Sequence, residues 1–251
     1  SVRNDSLYAM KDAKSPQSSS TFQGLTNTVS LFIEIRGIGL GRACFTRRAE
    51  CGFLVSRSLL ETAALHSKEV RSEIRKAVKE TCSGKSDISV TFQSARTELP
   101  VTFIDLAKNE RFTEPLPTFD ALQLKAELVR KRPKAYILPD TCRMQAEKLR
   151  ALGIEVEEIG KTFTATVEKY IVTGYKKVTK EWEKIYPVTV STRMEKEKKS
   201  FPAGCFIIRL SQKNANLAVT LLEPESVNGF VNFEVVHTEL RKELPIYRKG
   251  F

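Results

Sequence analysis

The sequence has no Cys-x-x-Cys pair, and its five cysteines, Cys44, Cys51, Cys82, Cys142 and Cys205, are odd in number. This argues against a metal knuckle or a complete disulfide framework and leaves one or two bridges open. No apolar run approaches the length of a membrane span, so no membrane partner is expected. No leader pattern opens the chain: Ser-Val-Arg-Asn-Asp-Ser is polar, and the first methionine is Met10. A processed start or a piece of a longer protein is the expectation. Internal repeats and low-complexity tracts are lacking, and histidine occurs only twice, as His66 and His237.

What is present is enough for one large or two modest domains. Of 251 residues, 41% are hydrophobic, which excludes a compositionally disordered chain. Lysine and arginine outnumber aspartate and glutamate by 41 to 30, giving +11. Such a charge could draw nucleic acid or an acidic partner. The charges are dispersed, however, and the densest runs, 130–134 and 193–199, contain no interleaved aromatic residues of the kind single-strand binders use. A solvated lysine-rich surface, with no nucleic-acid partner, is the simpler reading.

Along the chain, residues 1–23 are polar and read as a loop. Residues 28–36, Thr-Val-Ser-Leu-Phe-Ile-Glu-Ile-Arg, carry the strongest strand signal and end in Gly37-Ile38-Gly39-Leu40-Gly41. Helices are predicted over 49–65, with Leu59, Leu60, Ala63 and Ala64 inward, and over 67–81, with Val70, Ile74, Ala77 and Val78 inward. Short strands follow at 88–93 and 100–106, then a connector with Pro115 and Pro117 and a helical patch over 122–129. Beyond Arg132-Pro133 the pattern becomes strand 135–138, helix 141–152 with Met144, Leu149 and Leu152 inward, and strand 154–159. Alternating segments at 163–172, 176–186 and 187–194, a strand at 205–210 and a helix at 214–222 complete it.

Glu34 is a carboxylate inside an apolar run, an expensive placement in a buried strand unless paired or used. Strand alternation puts Phe32, Glu34 and Arg36 on one face, so Glu34 and Arg36 could pair or share a cleft. A structural ion pair and a functional group at a strand end both fit this pattern.

Residues 22–42, Phe-Gln-Gly-Leu-Thr-Asn-Thr-Val-Ser-Leu-Phe-Ile-Glu-Ile-Arg-Gly-Ile-Gly-Leu-Gly-Arg, resemble the late catalytic-domain segment of carboxypeptidase A-like zinc metallopeptidases, in a bacterial-type branch with a long C-terminal extension. The stretch from Phe45 to Thr62, Arg132-Pro133-Lys134-Ala135-Tyr136, Asn216-Leu217-Ala218, Leu222-Glu223-Pro224 and Leu244-Pro245-Ile246-Tyr247-Arg248 resemble that branch as well. The resemblance implies that Glu34 is the general base acting on a zinc-bound water, with Arg36 in a supporting electrostatic role. It implies a peptide or protein substrate, and weakly an exported protein.

The same resemblance places the family's His-x-x-Glu and later histidine before the glutamate strand, where this sequence has no histidine. His66-Ser67-Lys68-Glu69 has the spacing but falls after Glu34 and at a helix junction. It is read as a chance match, with Glu69 stabilising the first turn of the following helix. Tyr8 is the only tyrosine upstream of Glu34, and its surroundings do not match the family's substrate-facing tyrosine. The expectation is therefore an α/β chain. Residues 1–85 would be the C-terminal remnant of a mixed-sheet peptidase domain, 86–131 a strand-rich connector and 132–251 a small α/β accessory domain. Zinc belongs to the parent protein, with no metal or cofactor site in this chain. The chain would be inactive alone, and an exposed sheet edge could drive self-association. Two other readings stay open: a phosphate- or nucleotide-binding module on the Gly37–Gly41 loop, with Arg42, Arg47 and Arg48 as its cations, and a non-enzymatic binding or scaffold domain.

Overall fold

In the computed structural model, the described residues are 2–3, 6–7, 9–11, 15–37, 39–182 and 184–250. Tyr8 and Ile38, which enter the expectations above, lie outside them. The described chain is mixed α/β, with five α-helices and two larger sheets in which antiparallel pairing predominates. It opens with short strands β1 (Val2–Arg3), β2 (Ser6–Leu7) and β3 (Ala9–Lys11), and then helix α1 (Ser19–Leu25), where a loop was expected.

Helices α2 (Phe45–Leu65) and α3 (Ser67–Ser83) follow. Strands β4 (Ile88–Asp105) and β5 (Glu110–Arg130) then form one long antiparallel ribbon from Ile88↔Arg130 to Asp105↔Glu110. The helical patch expected at 122–129 is thus strand, because cross-strand pairing with 88–94 overrides a short local preference. β3 adds a third strand to this ribbon only along Thr118–Asp120 of β5, so Pro115 and Pro117 fall where β5 is paired with β4 alone and its other edge needs no N–H donor.

The remaining elements are β6 (Ala135–Leu138), a 3₁₀ turn at 140–142, α4 (Arg143–Ala151), β7 (Glu157–Glu158), β8 (Phe163–Lys177), β9 (Val188–Phe201), β10 (Phe206–Arg209), α5 (Ala215–Leu222) and β11 (Glu243–Lys249). They build a six-stranded sheet in the order β7-β10-β6-β11-β8-β9. Because β10 is antiparallel to both β6 and β7, those two run parallel, as the expected strand–helix–strand unit requires.

Period-two alternation explains why the inner strands read as continuous apolar runs. Tyr136, Leu138, Phe206, Ile208, Leu244, Ile246, Tyr170 and Val172 face one core, shared with Ala146 and Leu149 of α4 and with α5. Ala135, Ile137, Ile207, Val167 and Tyr247 face a second, smaller core closed by Phe201. Met144, expected inward, is half exposed because Ala146 and Leu149 already define the buried side of α4. The centrally placed β11 has no clean strand signature. Pro245 interrupts it, and its register with β8 is irregular between Glu243 and Tyr247.

The clearest correction concerns residues 28–37. They form no strand, and Val29, Leu31 and Phe32 are largely exposed. An apolar run becomes a buried strand only when neighbouring strands take its backbone N–H and C=O groups. Among the described residues none pairs with it. The expected inward stripe of α2 is likewise uncovered, and no α2 residue is buried.

Candidate functional site

Glu34 and Arg36 sit in this unpaired stretch, both exposed. Among the described residues neither makes a hydrogen bond or an ion pair, so the two are not held in a shared cleft. The stretch is anchored only at its ends. At the N-terminal end, Asn27 accepts a hydrogen bond from Thr81 Oγ1 (3.2 Å) and donates one to the Lys213 carbonyl (2.9 Å). At the other, Ile35 packs so close to Gly52 of α2 that an added Cβ there would lie 3.2 Å from Ile35 Cδ1.

The glycine loop is shaped around a cation. Gly39 and Gly41 adopt positive φ, and the Arg48 guanidinium donates to the carbonyls of Gly41 (2.7 Å) and Gly37 (3.4 Å). A phosphate-binding loop turns N–H groups inward, whereas this one offers carbonyl oxygens to Arg48. Arg48, a candidate anion ligand in the sequence, is committed to those carbonyls.

His66 Nδ1 lies 3.3 Å from Glu69 Oε2, both side chains exposed, at the junction of α2 and α3. Glu69 occupies the first turn of α3, as expected. The pair borders a groove of about 590 Å³ between residues 24–29 and the Val70, Ile74 and Ala77 side of α3. Among the described residues, no three of His, Cys, Asp and Glu are grouped to hold a metal ion. The residues present supply two candidate ligands at this junction and no third, and so do not fit a zinc centre. All five cysteines are free thiols, so neither of the bridges left open by the sequence is formed.

The densest polar cluster is one that sequence reasoning missed. Glu223, just after α5, is fully buried. Its carboxylate accepts from Tyr136 Oη (2.6 Å) and Arg130 (2.8 Å) and lies 3.3 Å from Arg248 Nε. Arg130 also donates to both oxygens of Glu225 (2.6 and 2.8 Å), and Thr192 donates to Glu225 from its backbone and hydroxyl. Arg248 reaches Glu168 (2.9 Å) and the Lys131 carbonyl. Burial by itself would raise the Glu225 carboxyl, but Arg130 and Thr192 hold it below its ordinary value. Burial and the neighbouring Glu223 push the Tyr136 and Tyr170 hydroxyls well up. The sequence signal for this cluster was charge in the wrong place: Arg130, Glu223 and Arg248 interrupt apolar elements.

Beside this cluster lies a cavity of about 640 Å³, with Leu25, Ile88, Val90, Phe92 and Val219 as apolar walls and Arg132, Glu223 and Glu225 among its polar ones. Arg132 is half-buried, without a carboxylate partner among the described residues. It donates to the Thr81 carbonyl at the end of α3 (3.3 Å) and to Asn216 (3.5 Å), and burial lowers its pKa.

Carboxypeptidase 2 of Trichophyton tonsurans is 28% identical to this chain over 225 residues, covering 90% of the chain and 42% of that protein. The similarity supports a carboxypeptidase family. Carboxypeptidase 2 of Trichophyton rubrum is 27% identical over the same shares, and a probable carboxypeptidase 2 of Arthroderma benhamiae is 28% identical over 86% of the chain and 41% of its own length. The chain therefore spans about two fifths of the length of the curated relatives it matches. No family model matches the sequence, and no solved structure matches it.

Proposed function

We propose that this chain is the C-terminal part of a zinc metallocarboxypeptidase that cleaves C-terminal residues from peptides. Its metal would be held by residues outside this 251-residue stretch. The observation that carries this reading is similarity to carboxypeptidases over 90% of the chain but only 42% of their length. The unpaired apolar stretch around Glu34 and the uncovered face of α2 agree with it, since both are surfaces that neighbouring strands of a larger sheet would bury. In this reading Glu34 serves as general base and Arg36 supports it electrostatically, once those strands order the segment.

The 251-residue chain should release no C-terminal residue from a peptide in the presence of zinc. A longer protein carrying a His-x-x-Glu and a later histidine upstream should do so, and should lose at least about a hundredfold in kcat on Glu34→Gln, the scale of a general-base contribution. Chelator-sensitive release by the 251-residue chain itself, or full activity of the Glu34→Gln protein, would refute the assignment.

A further inference from the structure

At the far end of the β8–β9 hairpin is an aromatic patch remote from Glu34 in sequence and separate from the charge cluster. A tight turn closes it: Trp182 and Ile185 exchange backbone hydrogen bonds (2.8 and 2.9 Å), with Lys184 at positive φ. Trp182, the only tryptophan, stacks on Phe233 with ring centroids 5.8 Å apart and planes 24° from parallel. Phe233 supports one face of the indole, yet the residue remains 41% exposed. Tyr186 is equally exposed, and Tyr175 and Val178 are nearly so.

Polar groups fixed among these rings accompany them. Lys177 Nζ lies 6.0 Å from the Tyr186 ring centre and donates to both oxygens of Glu234, at 2.8 Å each. Glu234 itself sits at φ 54, a backbone conformation uncommon outside glycine. The rings, the lysine and the carboxylate thus form one surface on β8, the hairpin tip and the turn at 233–234.

The geometry points to a binding platform for a β-linked pyranose polymer, on which the open Trp182 and Tyr186 rings stack while Lys177 and Glu234 hydrogen-bond to hydroxyl groups. A β-linked pyranose presents a flat face of axial C–H bonds flanked by equatorial hydroxyls. An aromatic plane edged with fixed donors and acceptors complements both features. A lipid surface fits less well. The Lys177–Glu234 ion pair lies among the rings, and burying those charges in a bilayer interface is unfavourable.

The test uses the whole chain. Because Trp182 is the sole tryptophan, its fluorescence reports binding directly. Titration with cellohexaose and with N-acetylglucosamine hexamer should give a saturable change with at least one of them, and pull-down on insoluble cellulose and chitin should retain the protein. Trp182→Ala should weaken retention about tenfold, the loss of one stacking contact. Tyr186→Ala should weaken the fluorescence response while leaving the indole in place. Circular dichroism should be unchanged in both variants. No binding to either polymer, retention undiminished in both variants, or binding to phosphatidylcholine vesicles but to neither sugar would overturn the proposal.

Discussion

Residues 28–83 and 132–250 are contrasting ways of using apolar side chains. In the second region the central strand β6 is sealed on both faces, and Tyr136, Ile137 and Leu138 are wholly buried. In the first, α2 and α3 are regular helices of 21 and 17 residues, yet α2 buries nothing and α3 buries only Thr81. Both regions are rich in apolar side chains; what differs is the presence of a partner surface. Helical structure follows from local propensity, whereas burial needs a second layer.

The largest test of this contrast is the charge cluster that locks the sealed region. Glu223→Ala would leave Arg130 and Arg248 buried beside a lost carboxylate and should destabilise the protein by about 3–5 kcal/mol in urea unfolding. A loss under about 1 kcal/mol would mean that water already reaches the cluster. Next comes a matched pair of deletions. Leu222→Ala in α5 removes a fully buried side chain and should cost about 2–5 kcal/mol. Leu60→Ala in α2, with the side chain mostly in water, should stay within about 0.5 kcal/mol. Similar losses at the two leucines would erase the distinction.

Acid should act on the sealed region through the same cluster. Glu225 is held below its ordinary value in the fold, so its contribution is complete above the unfolded carboxyl value, about 4.3, and is lost as pH falls through the lower folded one. Glu243 behaves alike: burial opposes its charge, but Tyr247, Lys199 and Lys169 keep it low. The urea midpoint should fall between about pH 5 and pH 2, and Glu225→Gln should flatten that fall. An unchanged acid slope would exclude Glu225 as a contributor.

The smallest effect concerns the open region. Phe53, Leu54 and Leu60 make an exposed apolar surface on α2, which should cause weak self-association detectable by sedimentation as mass rising with concentration. Phe53→Lys should shift that curve toward the monomer by a few-fold in dissociation constant. A concentration-independent monomer mass for the unsubstituted chain would remove this expectation.

Much of the secondary structure was legible in residues with strong local patterns. The Val70-Ile74-Ala77 stripe marked α3, Ala135–Leu138 marked β6, and the stop at Pro224 bounded α5. Less legible were elements defined by partners. The 122–129 stretch became strand through β4, and β11 was hidden by Pro245. The Glu34 run has a strand composition without the neighbours that would make it one. Misplaced charges hinted that the charge cluster existed, but neither its pairings nor those of the aromatic platform could be read from the sequence, because they join residues as far apart as Arg130 and Glu225, or Lys177 and Glu234.

By itself, the sequence determined the local periodicities, the scarcity of histidine and the apolar run that holds Glu34. These depend on residue type and spacing alone. Only the tertiary structure decided which apolar faces are covered, that Arg48 occupies the glycine loop, and that Glu223 sits between two arginines. Those outcomes depend on which segments meet, and a meeting of distant segments leaves no periodic mark in either.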